Sequence, residues 1–525
     1  MPTLAAPSEV TGLRAPAAAP AGRFPVARLA LITLGALVVH GYHFGVEDGE
    51  IYVPAIRKLL HPNTYPYATE FFLSHERLSV FAPIVAWSAR MAHLPTEWAA
   101  FLWYLVTLFA TFAGCWMLAS TCFRSARARW CAVLVFASVM TMPATNTGLL
   151  LVDPYITARS FSTPLTLFAL VALLKRRSVL ATLVIAITAA IHPQMAAYLV
   201  FLAAVLWIAE RGRQPRAEQR LAPALLLALP LHFQFGPAPQ PYREALYARD
   251  FYFLSTWTWY DWLGLLAPLA LLVWFSRGRL HGTTPEFARL SAALVPFGLV
   301  SILAGALVGF SHQLDMYARL QPLRCFHLIT LVFIVLFAGI IGEYAAKNRV
   351  WVIPTLCIAL ATGMFLVARA SYPNSAQIEF PGRTTSSNDW VNALLWIRHN
   401  TPAEAVFAVD SRYFLVPGVD VHGFRAVSGR AALADYFKDG GAVAVFPALA
   451  PEWKRMTDAT YGLNHFTEPN FVRLSHEYPV DWTIIHGPAP AGMVCPYQER
   501  GYSVCRIPGT PDKETILAAA HAPQP

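Results

Sequence analysis

Apolar runs of about 20 residues, the length that crosses a hydrocarbon core, recur in this chain from Val26 to Ala368. A backbone in lipid must satisfy its own hydrogen bonds, so runs of this length are expected as helices. Eleven spans are expected, near 26–43, 97–119, 130–144, 161–174, 178–191, 194–210, 221–235, 260–276, 289–310, 325–343 and 350–369. The 525 residues are 56% hydrophobic and only 14% charged, whereas soluble domains are nearer a quarter charged. From Ala370 onward charges, prolines and glycines return, so 370–525 is expected as an α/β domain of common size. The expected fold is a polytopic α-helical membrane protein with that domain at its C-terminus. Residues 1–25, rich in Ala and Pro, are expected as a disordered cytoplasmic tail, and 44–96 as a long first connection with interfacial helices.

The net charge of +9 does not imply a nucleic-acid partner. Residues 370–525 carry 12 Lys/Arg against 15 Asp/Glu, so the excess lies in short basic clusters between spans. These are Arg14/Arg23/Arg28, Arg124/Arg127/Arg129, Lys175/Arg176/Arg177, Arg211/Arg213/Arg216/Arg220, Arg277/Arg279 and Lys347/Arg349. With eleven spans all fall on one side, which the positive-inside bias makes the cytoplasm. The segment Val80–Met91, short and carrying Arg90, is then an interfacial or re-entrant helix and not a span. The N-terminus is expected inside and 370–525 outside, periplasmic or extracellular. Five cysteines lie in or beside spans, while Cys495 and Cys505 fall in the exterior domain, where an oxidising compartment would let them pair. No Cys/His spacing resembles a zinc site.

Under this orientation the inward connections are short and basic, and the outward ones carry chemistry. HGYHFGVEDGEIYVPAIRKLL (40–60) holds His43, Glu47, Asp48 and Glu50. LLLVDPYITARSF supplies Asp153 and Arg159, and HPQ supplies His192. PYREALYARDFYFLSTWTWYDW contains Tyr260 and Asp261, and SHQLDMYARLQPLRCFH contains Arg319 and Arg324. Ionisable groups at span ends that face a bundle interior mark a site or pathway, and an Arg fork suits phosphate or carboxylate. Each residue has a plainer reading beside the functional one. Asp48 suits an N-cap and Glu50 the first turn of an amphipathic helix lying on the membrane. Tyr42 and the tryptophans 257, 259 and 262 suit interfacial anchors. His192 before Pro193 suits a helix end, and the arginines could snorkel.

An acidic pair in the first outer loop, on an amphipathic helix, followed by many spans and an outer α/β domain, resembles the GT-C membrane glycosyltransferases. The layout is similar to the protein mannosyltransferase and aminoarabinose transferase group, and closer still to bacterial relatives whose first loop reads like VEDGEIYVPAIRKLLHPNTYPYATEFF. DWVNALLWIRHNTPAEAVFAV, FRAVSGRAALADYFKDGG, DWTIIHG and GYSVCRI fit the same group. The order here is Glu-Asp where the mannosyltransferases have Asp-Glu, and no second-loop DxD motif is found.

The resemblance implies sugar transfer from a polyprenyl-phosphate carrier to a lipid, glycan or protein acceptor, outside a bacterial inner membrane. Asp48 is the expected base, with Glu47 as alternate. Arg159, Arg319, Arg324 and His192 are expected to stabilise the leaving phosphate, with His43, Asp153, Tyr260 and Asp261 lining the site. One base on a phosphate-linked sugar implies inversion. No cofactor is expected; a divalent metal on Glu47, Asp48 and His43 is the less favoured reading. Rival readings are a transporter, which should place charges near mid-membrane, and a non-catalytic scaffold of the same fold. In the outer domain helices are expected at 388–399, 431–437 and 450–460, and strands at 406–409, 482–486 and 502–506.

Overall fold

The structure, a computed structural model, describes residues 24–211, 236–278 and 280–508. The expected span 221–235, and all but the end of the expected tail, lie outside the described residues. Helix α1 (Val26–His40) leads into three helices of the first connection, α2 (Gly49–Leu60), α3 (Glu70–Glu76) and α4 (Phe81–Ala92). Then follow α5 (Thr96–Cys122), α6 (Ala126–Val139), α7 (Ala158–Leu174), α8 (Ser178–Ile191) and α9 (Pro193–Arg211). The bundle is completed by α10 (Tyr242–Tyr247), α11 (Trp259–Arg277), α12 (Pro285–Gly309), α13 (Cys325–Tyr344) and α14 (Val352–Ser371).

Ten of the eleven expected stretches are therefore helical. Among the described residues, five segments are long and apolar enough to cross a membrane: Thr96–Cys122, Trp259–Arg277, Pro285–Gly309, His312–Tyr344 and Val352–Ser371. Helices α1, α7, α8 and α9 are apolar but shorter. Close approach comes from small residues. At Gly342 of α13 an added Cβ would stand 2.6 Å from the Cys131 Cβ of α6.

The connections sort by charge. Arg127 donates from Nε to the Gly342 carbonyl (2.7 Å) and from a terminal nitrogen to that of Lys347 (3.2 Å). Phe123 bridges Thr283, and Arg289 donates to the Leu174 carbonyl at 2.8 Å. One end of the bundle thus gathers the basic connections after α5, α7 and α13. At the other end Glu97 of α5 pairs with Arg398, and Arg159 of α7 reaches Asp48.

The C-terminal domain holds α15 (Asp389–Asn400), α16 (Phe424–Ser428), α17 (Lys438–Val445), α18 (Ala450–Ala459) and α19 (Glu468–Glu477). Its strands β1 (Val406–Ala408), β2 (Ala431–Ala432), β3 (Trp482–His486), β4 (Val494–Glu499) and β5 (Tyr502–Arg506) order as β2-β1-β3-β5-β4. β1 is parallel to β2 and β3, while β5 is antiparallel to β3 and β4. Trp390, Leu394 and Ile397 of α15 cover one face of the sheet with Phe407, Phe424 and Val504. A Cys495–Cys505 disulfide joins β4 to β5.

Three expectations are corrected. Residues 431–437 are not a helix: Ala431 and Ala432 pair in parallel register with Val406 and Phe407. Asp435 then accepts from the Phe437 and Lys438 amides (2.7 and 2.6 Å), so its carboxylate starts α17. Nor is the apolar face of α2 left for lipid: Ile51, Val53, Ala55 and Ile56 are buried, and the helix contacts α3, α4 and α16. Tyr42, expected as an anchor, is buried between Phe101 and Tyr104, each ring centroid 5.0 Å away.

Candidate functional site

The site grows from the turn between α1 and α2. Gly41, at φ +80°, ends α1 where an added Cβ would meet the Gln377 carbonyl oxygen at 2.3 Å, so only glycine fits. Residues 42–47 then run between two backbone partners. Tyr42 donates to Gln377 O (3.1 Å), and Glu47 donates to Val421 O (2.9 Å). Glu47 sits at φ +51°, a left-handed conformation that costs a non-glycine residue about 1–2 kcal/mol. Its carboxylate pairs there with Lys438 of α17.

Asp48 occupies the N-cap position of α2, yet its side chain makes no capping hydrogen bond. The carboxylate is held instead by cations from two other elements. Lys438 Nζ lies 3.2 Å from Oδ1, and an Arg159 terminal nitrogen lies 3.5 Å from Oδ2. Burial alone would raise this carboxyl, but Lys438, Arg159 and Arg324 outweigh it and hold it well below the usual carboxylate range. Asp48 is an anion at neutral pH, and its side chain keeps 37% of its surface open.

Arg159 is itself fixed. Thr157 caps α7 through a capping box with Ser160, and the buried Asp153 accepts from Arg159 at 2.6 Å. The Arg159 Nε is buried with no hydrogen-bond partner among the described residues. Arg324, on a 3-10 turn at Pro322–Arg324 leading into α13, stands over the rings of Phe251 and Tyr252 at 5.8 and 6.0 Å. Its Nε is also buried and unpartnered among the described residues. His75 and His192 belong to the same electrostatic neighbourhood. Burial takes His75 down to about 4, so its imidazole is neutral, and its Nδ1 has no partner among the described residues. Burial raises Glu76, near Tyr52, to about 8.

Of the residues expected from sequence, Glu47, Asp48, Asp153, Arg159, His192 and Arg324 come together. Arg319 is exposed on the segment His312–Leu320 and makes no ion pair with Asp48. Tyr260 is exposed, and Asp261 accepts from the Thr258 amide (2.9 Å) and hydroxyl (2.7 Å) in the capping box of α11. His43 points elsewhere: its ring stacks on Tyr372 at 3.9 Å, and its Nδ1 lies 3.8 Å from Glu379. Glu47, Asp48 and His43 therefore do not converge on one point, and no other metal-ligating trio gathers among the described residues.

A cavity of about 280 Å³ is walled by Phe44, Trp98, Phe380 and Leu395, with Glu379 and His422 among its lining. None of the site residues expected from sequence lines it. Its walls are mainly apolar, and the cluster of cations around Asp48 is the better chemical candidate.

Sequence reasoning missed Lys438, Arg249 and His75. Arg249 lies against the start of α17, where a Cβ on Gly440 or Gly441 would come within 3.4 or 3.3 Å of its terminal nitrogen. The one signal in the chain was the run Asp435-Tyr-Phe-Lys-Asp-Gly-Gly441, in which charges precede two glycines that leave room for a close neighbour. No family model matches the chain, and no curated protein matches it.

Proposed function

We propose that the chain is a membrane glycosyltransferase of GT-C type that moves a sugar from a polyprenyl-phosphate donor to an acceptor at the membrane surface. The observation that carries this reading is Asp48. It is a partly open carboxylate that makes no capping bond and lies 3.2 and 3.5 Å from Lys438 and Arg159, near Arg324, whose Nε has no partner among the described residues. In the proposed reaction an acceptor oxygen or nitrogen attacks the anomeric carbon and gives its proton to Asp48. The bond from that carbon to the phosphate oxygen breaks, and the phosphate departs with the electron pair. Attack opposite the leaving group inverts the anomeric centre.

The parts match the charges that develop. General-base help is worth about 10²–10⁴ in rate. A fixed donor facing a growing anion adds about 10²–10³, and Arg324 and Arg159 are such donors. In this reading the site lies at the outer surface of a bacterial inner membrane with the C-terminal domain outside, and the basic connections gathered at the other end of the bundle support it through the positive-inside bias. The full set of eleven spans belongs to this reading, with five segments of spanning length among the described residues as its support. The mixed cluster of carboxylates and cations around Asp48 lies at one end of the bundle, where a transporter would need such groups near mid-membrane.

The test is mass spectrometry of polyprenyl-phosphate sugars and surface glycans in cells with and without the gene. Accumulated donor and a lost glycan are expected without it; identical profiles would contradict the reading.

A further inference from the structure

The C-terminal domain contributes a cation to the cluster around Asp48, and the way it is held suggests what it does. Asp435 caps the start of α17, and Asp439 accepts from Arg425 at 2.6 Å. Arg425 also binds Glu50 of α2 at 2.8 Å, so α17 is registered on α2 through a buried ionic contact. Lys438, in the first turn of α17, is thereby set over Glu47 and Asp48.

Domain docking does not need Lys438. Arg425 and Glu50 are almost fully buried, and Arg57 adds a 2.6 Å bond to the Ala426 carbonyl. The pairs of Lys438 differ in kind: the lysine side chain is 17% exposed and its two carboxylates 37%. Open pairs exchange partners at little cost, whereas buried ones do not. Three cations act on Asp48, namely Lys438, Arg159 and Arg324; of these Arg159 is also held by Asp153 and Lys438 by Glu47. His75 is neutral there, as are the phenols of Tyr52 and Tyr155.

We propose that Lys438 is a phosphate ligand that leaves Glu47 and Asp48 when the donor's lipid-linked phosphate enters, and so releases Asp48 to act as base. The inference rests on the reading of the site as a lipid-phosphate sugar transferase. An entering phosphate offers an anionic acceptor for charge-assisted bonds from Lys438 and from the buried Arg324 Nε, which has no partner among the described residues. With Lys438 drawn away, Asp48 loses a cation that depresses its basicity, so donor binding prepares the base.

The probe is farnesyl phosphate, with farnesol as the uncharged control, titrated against the full-length protein in detergent. Wild type is expected to prefer the phosphate. K438M should weaken farnesyl phosphate binding about tenfold and leave farnesol unchanged, while K438R should restore most of the loss, at an unfolding midpoint equal to wild type. Should K438M fold poorly, K438Q and K438R measured against each other give the same comparison. Wild-type affinity in a folded K438M or K438Q variant would overturn the role of Lys438 and leave the site reading intact. A wild type that does not distinguish farnesyl phosphate from farnesol would overturn the site reading itself, and this inference with it.

Discussion

Glu50 and Arg425 lie buried against each other, 2.8 Å apart, at the seam between the first-loop helix and the C-terminal domain. Glu50 also accepts the Arg425 and Ala426 amides at 2.9 Å each, so one carboxylate caps the start of α16 and binds its first arginine. Two residues before Glu50, Asp48 meets Lys438 of α17, whose neighbour Asp439 shares the same arginine. The seam that joins the two parts of the protein is thus what assembles the cluster around Asp48.

Replacing Glu50 should therefore be costly to the fold first and to the site second. E50Q keeps Asp435 and Asp439 as partners of Arg425 but weakens the buried bonds that Glu50 makes to its guanidinium and to two amides, a loss of about 1–3 kcal/mol. A lowered midpoint of thermal unfolding in detergent, with easier proteolysis between the bundle and the C-terminal domain, is the expected result.

Arg324 should behave in the opposite way. Its Nε has no protein partner among the described residues and its contacts to the Phe251 and Tyr252 rings are long, at 5.8 and 6.0 Å, so R324M removes little that holds the fold together. Unfolding should change by less than about 1 kcal/mol, while sugar transfer should fall by about 10²–10³. A parallel series of melting curves and transfer assays separates the two.

How far the chain could be read in advance depended on whether the cause was local. Helices such as α5 and α13 follow from apolar length alone, and β3 and β5 from short apolar runs. Strand β2 does not, because Ala431 and Ala432 favour helix and become strand only through pairing with β1. The apolar stripe of α2 has the same pattern whether lipid or protein covers it, so its burial against α16 was invisible. Glu50 likewise gave no sign that its partner was Arg425, 375 residues away. Asp48, Arg159 and Arg324 were readable as polar groups at span ends, whereas Lys438 lies 390 residues beyond Asp48 and carries no local mark of their contact.

The Glu379–His422 pair, 3.0 Å apart beside His43 and Asp420, should give a pH-dependent stability. Burial would raise Glu379 and lower His422, but their attraction wins. It takes Glu379 down to about 2 and moves His422 above its ordinary 6.5. The His422 contribution is full below pH 6.5 and fades as pH rises through the raised value. The Glu379 contribution is present above pH 4.5 and is lost as pH falls toward 2. H422Q should consequently destabilise more at about pH 5.5 than at about pH 9, read from unfolding midpoints of both proteins.

Reduction of Cys495–Cys505, which closes a separation of 10 residues, should lower the stability of the C-terminal domain by about 2.5 kcal/mol on loop entropy. Denaturant unfolding with and without reductant measures this, and C495S should remove the difference.

The proposed reaction depends on Asp48, and D48N tests that dependence most directly because it keeps the shape and removes the base. Transfer of sugar from the native polyprenyl-phosphate donor, assayed in membranes at matched protein level, should fall by about 10²–10⁴ in D48N. E47Q should fall much less. Transfer by D48N at the wild-type rate would contradict the central claim.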